Sequence, residues 1–568
     1  MTAEQTKIAE ESHVKAPWLN VYGVVPPHLD YPDCTMYEAV ERCAGTYPNH
    51  TAYVFMGRKT TYRAMAAEID LCARALKATG VRPGDRITMA MPNCPQAVIM
   101  FYAINLVGAT ANMIHPLSSE KEIEFYLKES GSIFAVTLDQ FYHKFEAIRQ
   151  NVTLDNIILA SIPDALSKPV RVGYMLTEGR KQAKIPKDAP VLRWNEFLRR
   201  GRGYHWTYRT ERRAGDEAVI LYSGGTTGVT KGIQLTNLNF NALGKQIIAT
   251  NPMFRPGDKM LAVMPMFHGF GLGVSIHSML VSGGCCILVP RFTPDSYAKL
   301  LLKYRCNLIA GVPTLYEALL RLPKMKNADL SCLKGVYSGG DSLSVELKKR
   351  FDQFLFDHHA TIQVREGYGL TECVTASCLT PYHISREGSI GIPFPDTYYK
   401  IVEHGTQKEV PYGTEGETYT LDENGQIVYC DDILNYDGGA QLGAWQYGFF
   451  VYGGSFPWRS YDSKTMEHAR KNDVEGFTGE RFSDYVEDSE KYSAKLMPGM
   501  IPTAEEADQV SPFLTDSDSY VQEARMKFVT GQWNFDSDWD AYVNQLNAMG
   551  AEDYVTVKQA QYDRYLSK

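Results

Sequence analysis

The sequence has no apolar run long enough to cross a membrane. Its most apolar stretches, residues 97–114 and 273–290, are interrupted by Asn, Ser, His or Gly, whereas a membrane-spanning helix needs about 20 predominantly apolar residues. The N-terminus is polar and charged and has no apolar segment of the signal-peptide kind. These absences exclude an integral membrane segment, predict buried helices and strands in both stretches, and favour a cytoplasmic protein.

The spacings of the eleven cysteines match neither a metal site nor a disulfide framework, although Cys285 and Cys286 are adjacent. This favours free thiols in a reducing compartment. The net charge is −8, so the chain has no overall basic character and we expect no nucleic-acid partner.

Charge and tryptophan are distributed unevenly along the chain. Residues 418–568 contain 26 Asp and Glu against 12 Lys and Arg, whereas the preceding residues contain 40 against 46. Four of the seven tryptophans also lie in this last quarter. The shift predicts two pieces of different origin.

A glycine-rich loop follows an apolar strand near the middle of the chain. The stretch 219–237 reads VILYSGGTTGVTKGIQLTN, which predicts a strand over 219–222 and a loop over 223–232. Glycines let a backbone approach a ligand closely, and consecutive N–H groups form a concavity for anions. The residues that we expect to hold a triphosphate are Ser223, Gly224, Gly225, Thr226, Thr227, Gly228 and Lys231. The alternative is a glycine-rich surface turn.

This loop is not the nucleotide-binding motif G-x-x-x-x-G-K-[ST], because Gly232 follows Lys231. Around it, helical and extended patterns alternate. A helix starts at Met36, a hairpin turns at residues 57–58, and a second helix spans 62–79. This alternation predicts an α/β fold with a largely parallel sheet.

Three later segments place chemically active residues near the ends of predicted strands. His268 lies in MFHGFG, residues 339–341 form a Gly-Gly-Asp turn after the strand 335–338, and residues 365–372 read REGYGLTE. An aromatic ring such as Tyr368 can stack on a base, and a carboxylate such as Glu372 is a hard oxygen ligand for Mg²⁺. The alternatives are a packed core histidine, an ordinary strand-to-helix turn and a helix cap at residues 371–372.

In their order, these motifs resemble those of the adenylate-forming (AMP-forming) acyl-CoA ligase family. The loop resembles [YF]-[TS]-S-G-T-T-G-x-P-K-G, the histidine segment an aromatic-His motif, and residues 368–372 the motif Y-G-x-T-E at every fixed position. The loop departs from the family at Gly224, where Ser is usual, and at Thr230, where Pro is usual. Both departures bear on affinity more than on identity.

The resemblance implies a fold and a reaction. Residues 1–417 would form the large ligase domain, with mostly parallel sheets flanked by helices and an incomplete small β-barrel. The reaction would join a fatty acid to CoA through an acyl-adenylate, with ATP consumed and AMP and pyrophosphate released. The implied catalytic residues are Lys231, Thr371, Glu372 and His268, with Glu372 as the Mg²⁺ ligand. The further implied nucleotide contacts are Gly339, Gly340, Asp341, Tyr368, Gly369 and Thr371, and the implied acyl-side residues are His268, Gly311 and Gly367.

The resemblance stops after residue 417. The family continues with an aspartate motif of the T-G-D kind and a C-terminal domain that carries a lysine. The nearest match to the first, Thr478-Gly479-Glu480, lacks the aspartate, and no P-x-x-x-x-G-K segment occurs near the end. We therefore expect an impaired ligase.

Residues 418–568 resemble instead the C-terminal part of extracellular solute-binding lipoproteins of ABC-type oligosaccharide importers. The resembling segments are YGTEGETYTLDENG and YVNQLNAMG, and YGTEGE fits both families, which places the junction at about residues 410–418. The resemblance implies an α-rich α/β fragment. Trp445, Trp458 and Trp533 would stack on a sugar in a complete cleft, or else serve packing.

Three functions follow from these observations. The first is the fatty-acid–CoA ligase, the second a chimeric, non-enzymatic protein that binds ATP and acyl groups, and the third a carbohydrate-binding module formed by the tail. The sequence leaves the acyl chain length and the oligomeric state open.

Overall fold

The computed structural model describes residues 16–177, 185–186, 188–223, 230–400, 419–421, 427–429 and 533–566, with single positions between 517 and 527. The chain divides into two compact units, Met1–Tyr399 and Lys400–Lys568. The predicted junction at 410–418 lies outside the described residues.

The first unit begins with a helix, a hairpin and then alternating strands and helices. The elements are α1 (Met36–Thr46), β1 (Thr51–Phe55), β2 (Arg58–Thr61), α2 (Tyr62–Ala78), β3 (Arg86–Ala90), α3 (Pro95–Leu106), β4 (Thr110–Met113), α4 (Glu120–Ser130), β5 (Phe134–Leu138), α5 (Tyr142–Ala147), β6 (Asn156–Ala160), α6 (Lys168–Leu176), β7 (Leu192–Arg193) and α7 (Trp194–Arg202). The predicted hairpin and helices are confirmed. The Thr61 side chain caps α2 by accepting a hydrogen bond from the Ala64 N–H, and such N-caps stabilise a helix start.

The second half of the unit contains the predicted glycine-loop strand and the strands that follow it. The elements are β8 (Glu217–Ser223), β9 (Lys231–Thr236), α8 (Asn237–Ala249), β10 (Lys259–Ala262), a π-helix (Phe270–His277), α9 (Ser278–Leu280), β11 (Cys285–Leu288), α10 (Pro294–Tyr304), β12 (Leu308–Gly311), α11 (Pro313–Leu320), β13 (Gly335–Ser338), α12 (Val345–Asp357), β14 (Val364–Tyr368), β15 (Cys378–Leu379) and β16 (Ile392–Pro393).

Two sheets organise this unit among the described residues. One has the order β7-β6-β5-β3-β4-β8-β9 and the other β16-β15-β14-β13-β12-β10-β11-β1-β2. In the first sheet only the β8–β9 pair is antiparallel. In the second, the pairs from β1 and β11 through β14 are parallel. The predicted α/β fold with largely parallel sheets is confirmed.

Both sheets are covered by apolar side chains, as parallel sheets require. In β10, Met260 and Ala262 belong to one hydrophobic cluster and Leu261 to another, so successive residues face opposite layers. The apolar stretch near residue 100 forms α3, in which every residue is buried. Burial on all sides explains why this helix has no polar face.

The described part of the second unit contains an antiparallel strand pair and two helices. The strands are β17 (Tyr419–Leu421) and β18 (Ile427–Tyr429), and the helices are α13 (Phe535–Ala548) and α14 (Ala551–Leu566). Across the described ranges of both units, no helix combines the length and the apolar character of a membrane span.

Candidate active site

A cleft of about 350 Å³ lies where strands of the two sheets end. It is reached by the carboxyl ends of β8, β13 and β14 and by the segment after β10. Ligands of open α/β sheets bind outside the carboxyl ends of the strands, because the loops there converge. Of the predicted site residues, those that line the cleft are Ser223, Lys231, His268, Gly339, Gly340, Gly367, Tyr368, Gly369, Thr371 and Glu372.

The glycine-rich loop connects two antiparallel strands. Ser223 ends β8 and pairs with Lys231, the first residue of β9, so the two predicted phosphate ligands lie opposite each other at the cleft. Gly224, Gly225, Thr226, Thr227 and Gly228 lie outside the described residues. The loop is shorter than predicted, because Lys231 and Gly232 form ladder pairs with β8.

The Lys231 side chain is exposed. Among the described residues it makes no ion pair, so its positive charge is available to a ligand.

Two glycines and an exposed tyrosine lie at the carboxyl ends of β13 and β14. Gly339 and Gly340 follow β13, and Gly340 adopts a φ of +78°, which favours glycine. Tyr368 ends β14, the strand that pairs in parallel with β13, and 44% of its surface is exposed. An exposed aromatic ring and backbone without side chains can both pack against a planar base.

Thr371 and Glu372 form a short turn at the cleft. They begin the 3-10 helix Thr371–Cys373, whose N-cap is Leu370, so they do not cap a longer helix. Within the described part of the chain, the Glu372 carboxylate has no hydrogen-bond or ion-pair partner. Both of its oxygens therefore remain free as ligands for a cation.

His268 lines the cleft. Its Nδ1 accepts a hydrogen bond from the Phe270 N–H at 3.1 Å, so the proton of the neutral ring is on Nε2. Desolvation by the surrounding protein lowers the pKa of His268 from its ordinary value. The ring is therefore neutral at pH 7 and offers an Nε2–H donor.

Two of the predicted site residues do not line the cleft. Asp341 is exposed, and its carboxylate accepts a hydrogen bond from the Ser342 N–H at 2.7 Å. Gly311 ends β12, where a Cβ would meet the Leu315 side chain, so its described contacts are those of packing. Their assignment to ligand binding stays a prediction.

Sequence reasoning missed the apolar walls of the cleft. These come from α8, the π-helix, β13 and the β15–β16 region, and the side chains are Ile247, Phe270, Val274, Tyr337, Leu379 and Phe394. Each lies in or beside a hydrophobic element whose pattern indicates core, and only the packing shows which of them border empty space.

Comparison with known proteins gives the family. A model of the family described as AMP-binding enzyme matches residues 40–423. The long-chain-fatty-acid–CoA ligase of Bacillus subtilis (strain 168) is 30% identical over 419 residues, which span 72% of each chain. The chain belongs to the AMP-binding enzyme family. The long-chain-fatty-acid–CoA ligase of Escherichia coli O6:H1 is also 30% identical, over 71% of this chain and 72% of that protein.

Solved structures of CoA ligases share the fold. A long-chain-fatty-acid–CoA ligase from Archaeoglobus fulgidus superposes with a TM-score of 0.58 at 19% identity, over 71% of this chain and 82% of that one. An anthranilate–CoA ligase in complex with anthranoyl-AMP gives 0.57 at 21% identity, over 71% and 77%. At these identities the likeness shows the α/β architecture of adenylate-forming ligases and nothing further.

Proposed function

We propose that the chain is a fatty-acid–CoA ligase that acts through an acyl-adenylate. The observation that carries this proposal is one cleft that brings together Lys231, Thr371, Glu372, Tyr368 and His268. A lysine and a metal-binding carboxylate suit the phosphates of ATP, an aromatic ring suits a base, and a neutral histidine donor suits a carboxylate.

The nucleotide fits between the two sheets. Its base would lie between Tyr368 and the Gly339–Gly340 backbone, and its phosphates would extend toward Ser223 and Lys231, which pair at the mouth of the glycine loop. A lysine and oriented N–H groups stabilise charge that develops on a phosphate during transfer. In this arrangement Thr371 donates its hydroxyl to the α-phosphate.

Glu372 suits Mg²⁺. No group of three or more His, Cys, Asp or Glu side chains that would enclose an ion occurs in the described residues. Mg²⁺ is commonly held by one or two carboxylates together with substrate phosphates, so a single unpaired carboxylate fits a Mg²⁺ that arrives with ATP. When bound, the ion would neutralise phosphate charge.

The acyl side is formed by His268 and the apolar walls. The Nε2–H of His268 would donate to the carboxylate and orient it. A carboxylate oxygen then forms a bond to the α-phosphorus, the bond to the β-phosphate bridging oxygen breaks, and pyrophosphate leaves. In the second step the thiolate of CoA forms the C–S bond, and the bond between the acyl carbon and AMP breaks. The enzyme contributes position and charge stabilisation.

The fatty-acid assignment is supported by two observations. The relatives that match over most of their length are named long-chain-fatty-acid–CoA ligases. The cleft walls are apolar side chains such as Phe270, Val274 and Leu379, which suit an alkyl chain. Residues 418–568 would not supply the ligase C-terminal domain. We therefore expect the chain to retain more activity in adenylation than in thioester formation.

The test separates the half-reactions. Acyl-adenylate formation is measured as exchange of labelled pyrophosphate into ATP with a series of saturated acids from short to long chain, and acyl-CoA formation is measured in parallel. We expect acid-dependent exchange. Nucleotide binding without exchange for any acid would favour the non-enzymatic alternative, and retention on immobilised oligosaccharide without nucleotide binding would favour the carbohydrate-binding one.

A further inference from the structure

Val374 holds a backbone conformation that β-branched residues avoid. Its φ is +69° and its ψ −54°, and its side chain is 1% exposed. A β-branched residue at positive φ is an outlier, and such strain persists only where the surrounding structure fixes it, often at a functional site. Val374 lies between Glu372 and Thr375, and both of these residues line the cleft.

The surrounding structure that fixes Val374 is the segment after His268. A Cβ on Gly269 would overlap the Val374 carbonyl oxygen and lie 2.7 Å from its carbonyl carbon. One turn further, a Cβ on Gly273 would lie 3.1 Å from Val374 Cγ1. The backbones of the two segments are therefore in direct contact, with no side chain between them.

Backbone hydrogen bonds link this contact to the segments that carry His268 and Glu372. The His268 carbonyl accepts from the Leu272 N–H at 2.9 Å, which joins it to the π-helix, and the Val374 N–H donates to the Thr371 carbonyl at 2.9 Å, which closes the turn around Glu372. π-Helical turns occur frequently at functional sites. A displacement of Val374 would thus move the histidine segment and the carboxylate segment together.

We infer that Gly269 and Val374 are positioning residues that couple the acyl half of the site to its phosphate half. This Gly269–Val374 joint sets the distance between the His268 donor and the Thr371–Glu372 turn, and with it the distance between the acid and the α-phosphate. The inference rests on the proposed ligase function for its consequence in catalysis.

The kinetic experiment compares two identical chemical changes. Gly269→Ala forces the segments apart, whereas Gly45→Ala in α1 meets no atom within 4 Å. A misplacement of about 1 Å costs on the order of 10²-fold in rate, so we expect Gly269→Ala to lower kcat of pyrophosphate exchange by roughly that factor. The KM for ATP should change by less than about threefold, because the interaction lost is one made in the transition state. The proposed role of the Gly269–Val374 joint is wrong if both variants lose kcat equally, or if Gly269→Ala changes KM alone.

The second experiment does not depend on activity. Hydrogen exchange of the full-length, ligand-free chain reports the peptides that contain residues 267–277 and 368–376. We expect faster exchange in both peptides of Gly269→Ala and in neither peptide of Gly45→Ala. Acceleration confined to residues 267–277 overturns the joint even if the parent is active. If hydrogen exchange is faster in both peptides but the parent protein neither binds nucleotide nor catalyses pyrophosphate exchange, the Gly269–Val374 joint is supported and the ligase proposal is wrong.

Substitutions at Val374 test the contribution of the strained backbone. Val374→Ala keeps the strain and removes the contact with Gly273, whereas Val374→Gly removes both. We expect a larger fall in kcat for Val374→Gly, because the turn then loses its fixed conformation. Equal activity of the two variants would show that the left-handed conformation contributes nothing to positioning.

Discussion

Lys231 is exposed at the cleft and, among the described residues, unpaired. Lys231→Ala should weaken ATP binding about 10- to 100-fold, because a charge-assisted hydrogen bond is worth about 1.5–3 kcal/mol. Calorimetric titration with ATP and Mg²⁺ measures this. Lys121→Ala, which removes an exposed lysine from α4, is the control, and equal affinity of the two variants would remove Lys231 from the site.

Glu372 should determine the metal requirement. Glu372→Gln keeps the shape of the side chain and removes its charge, so the Mg²⁺ concentration needed for half-maximal nucleotide binding should rise several-fold while the fold is unchanged. Glu211→Gln, at an exposed glutamate, controls for net charge. If both variants bind nucleotide with the dependence of the parent, Glu372 is not a metal ligand.

His277 makes the fold sensitive to acid. The ring is fully buried, contacts the Tyr102 hydroxyl through Nδ1 at 3.1 Å and Asn241 Oδ1 through Nε2 at 3.0 Å, and burial lowers its pKa to about 3 from 6.5. Below pH 6.5 the His277 ring therefore binds a proton in the unfolded chain, whereas in the folded chain it stays neutral until the pH approaches 3. Its contribution to stability is complete above pH 6.5 and is lost, at about 1.4 kcal/mol per pH unit, as the pH falls toward 3.

His277→Gln should flatten this dependence. We expect urea unfolding of the parent between pH 6.5 and 4.5 to show a steeper loss of stability than unfolding of the variant, whatever the variant's stability at pH 7. Parallel slopes would assign the acid sensitivity to other groups.

The packing of α7 on α2 depends on a glycine. A Cβ on Gly201 would lie 2.5 Å from the Leu71 carbonyl oxygen and 2.8 Å from the Ala75 nitrogen, whereas one on Gly203 would meet only the Arg200 carbonyl oxygen at 3.7 Å. Overpacking of this kind costs about 1–3 kcal/mol. Gly201→Ala should lower the free energy of unfolding by that amount, measured by urea denaturation.

Gly203→Ala is the matched control, with an expected effect within about 0.5 kcal/mol. Equal stability of the two variants would mean that α2 and α7 separate without cost.

The two units make different contributions to the proposed reaction. The cleft that we propose for nucleotide and acid lies in Met1–Tyr399, and neither a T-G-D motif nor a P-x-x-x-x-G-K segment follows residue 417. Each missing group that acts on a charged transition state commonly costs about 10²–10³ in rate, although such losses are not additive. We therefore predict slow acyl-CoA formation by the whole chain.

The comparison is with a chain whose residues after 417 are replaced by the C-terminal domain of a related ligase. The replacement should raise acyl-CoA formation strongly and leave ATP affinity nearly unchanged, because the cleft is the same in both proteins. Turnover of roughly 1–10³ s⁻¹ by the original chain, the ordinary range for enzymes, would show that residues 418–568 supply catalytic groups.

Local signals in the sequence predicted much of the fold. Thr61 before an amphipathic run predicts the start of α2, and the apolar run near residue 100 predicts a buried helix, since capping and hydrophobic periodicity act within one element. The motifs at Lys231, His268 and Glu372 predicted residues that the fold brings to one cleft, and their roles in phosphate and carboxylate binding stay predictions.

Only the tertiary structure decided which residues meet. Lys231 lies in a strand, because pairing with β8 supplies its backbone hydrogen bonds. Phe270, Val274 and Leu379 border the cleft although their hydrophobic sequence pattern predicts core residues. Whether an apolar side chain faces a cleft depends on which other elements pack against it. The contact of Gly269 with Val374 joins residues more than a hundred positions apart, and close approach of two backbones leaves no periodic signal in either segment.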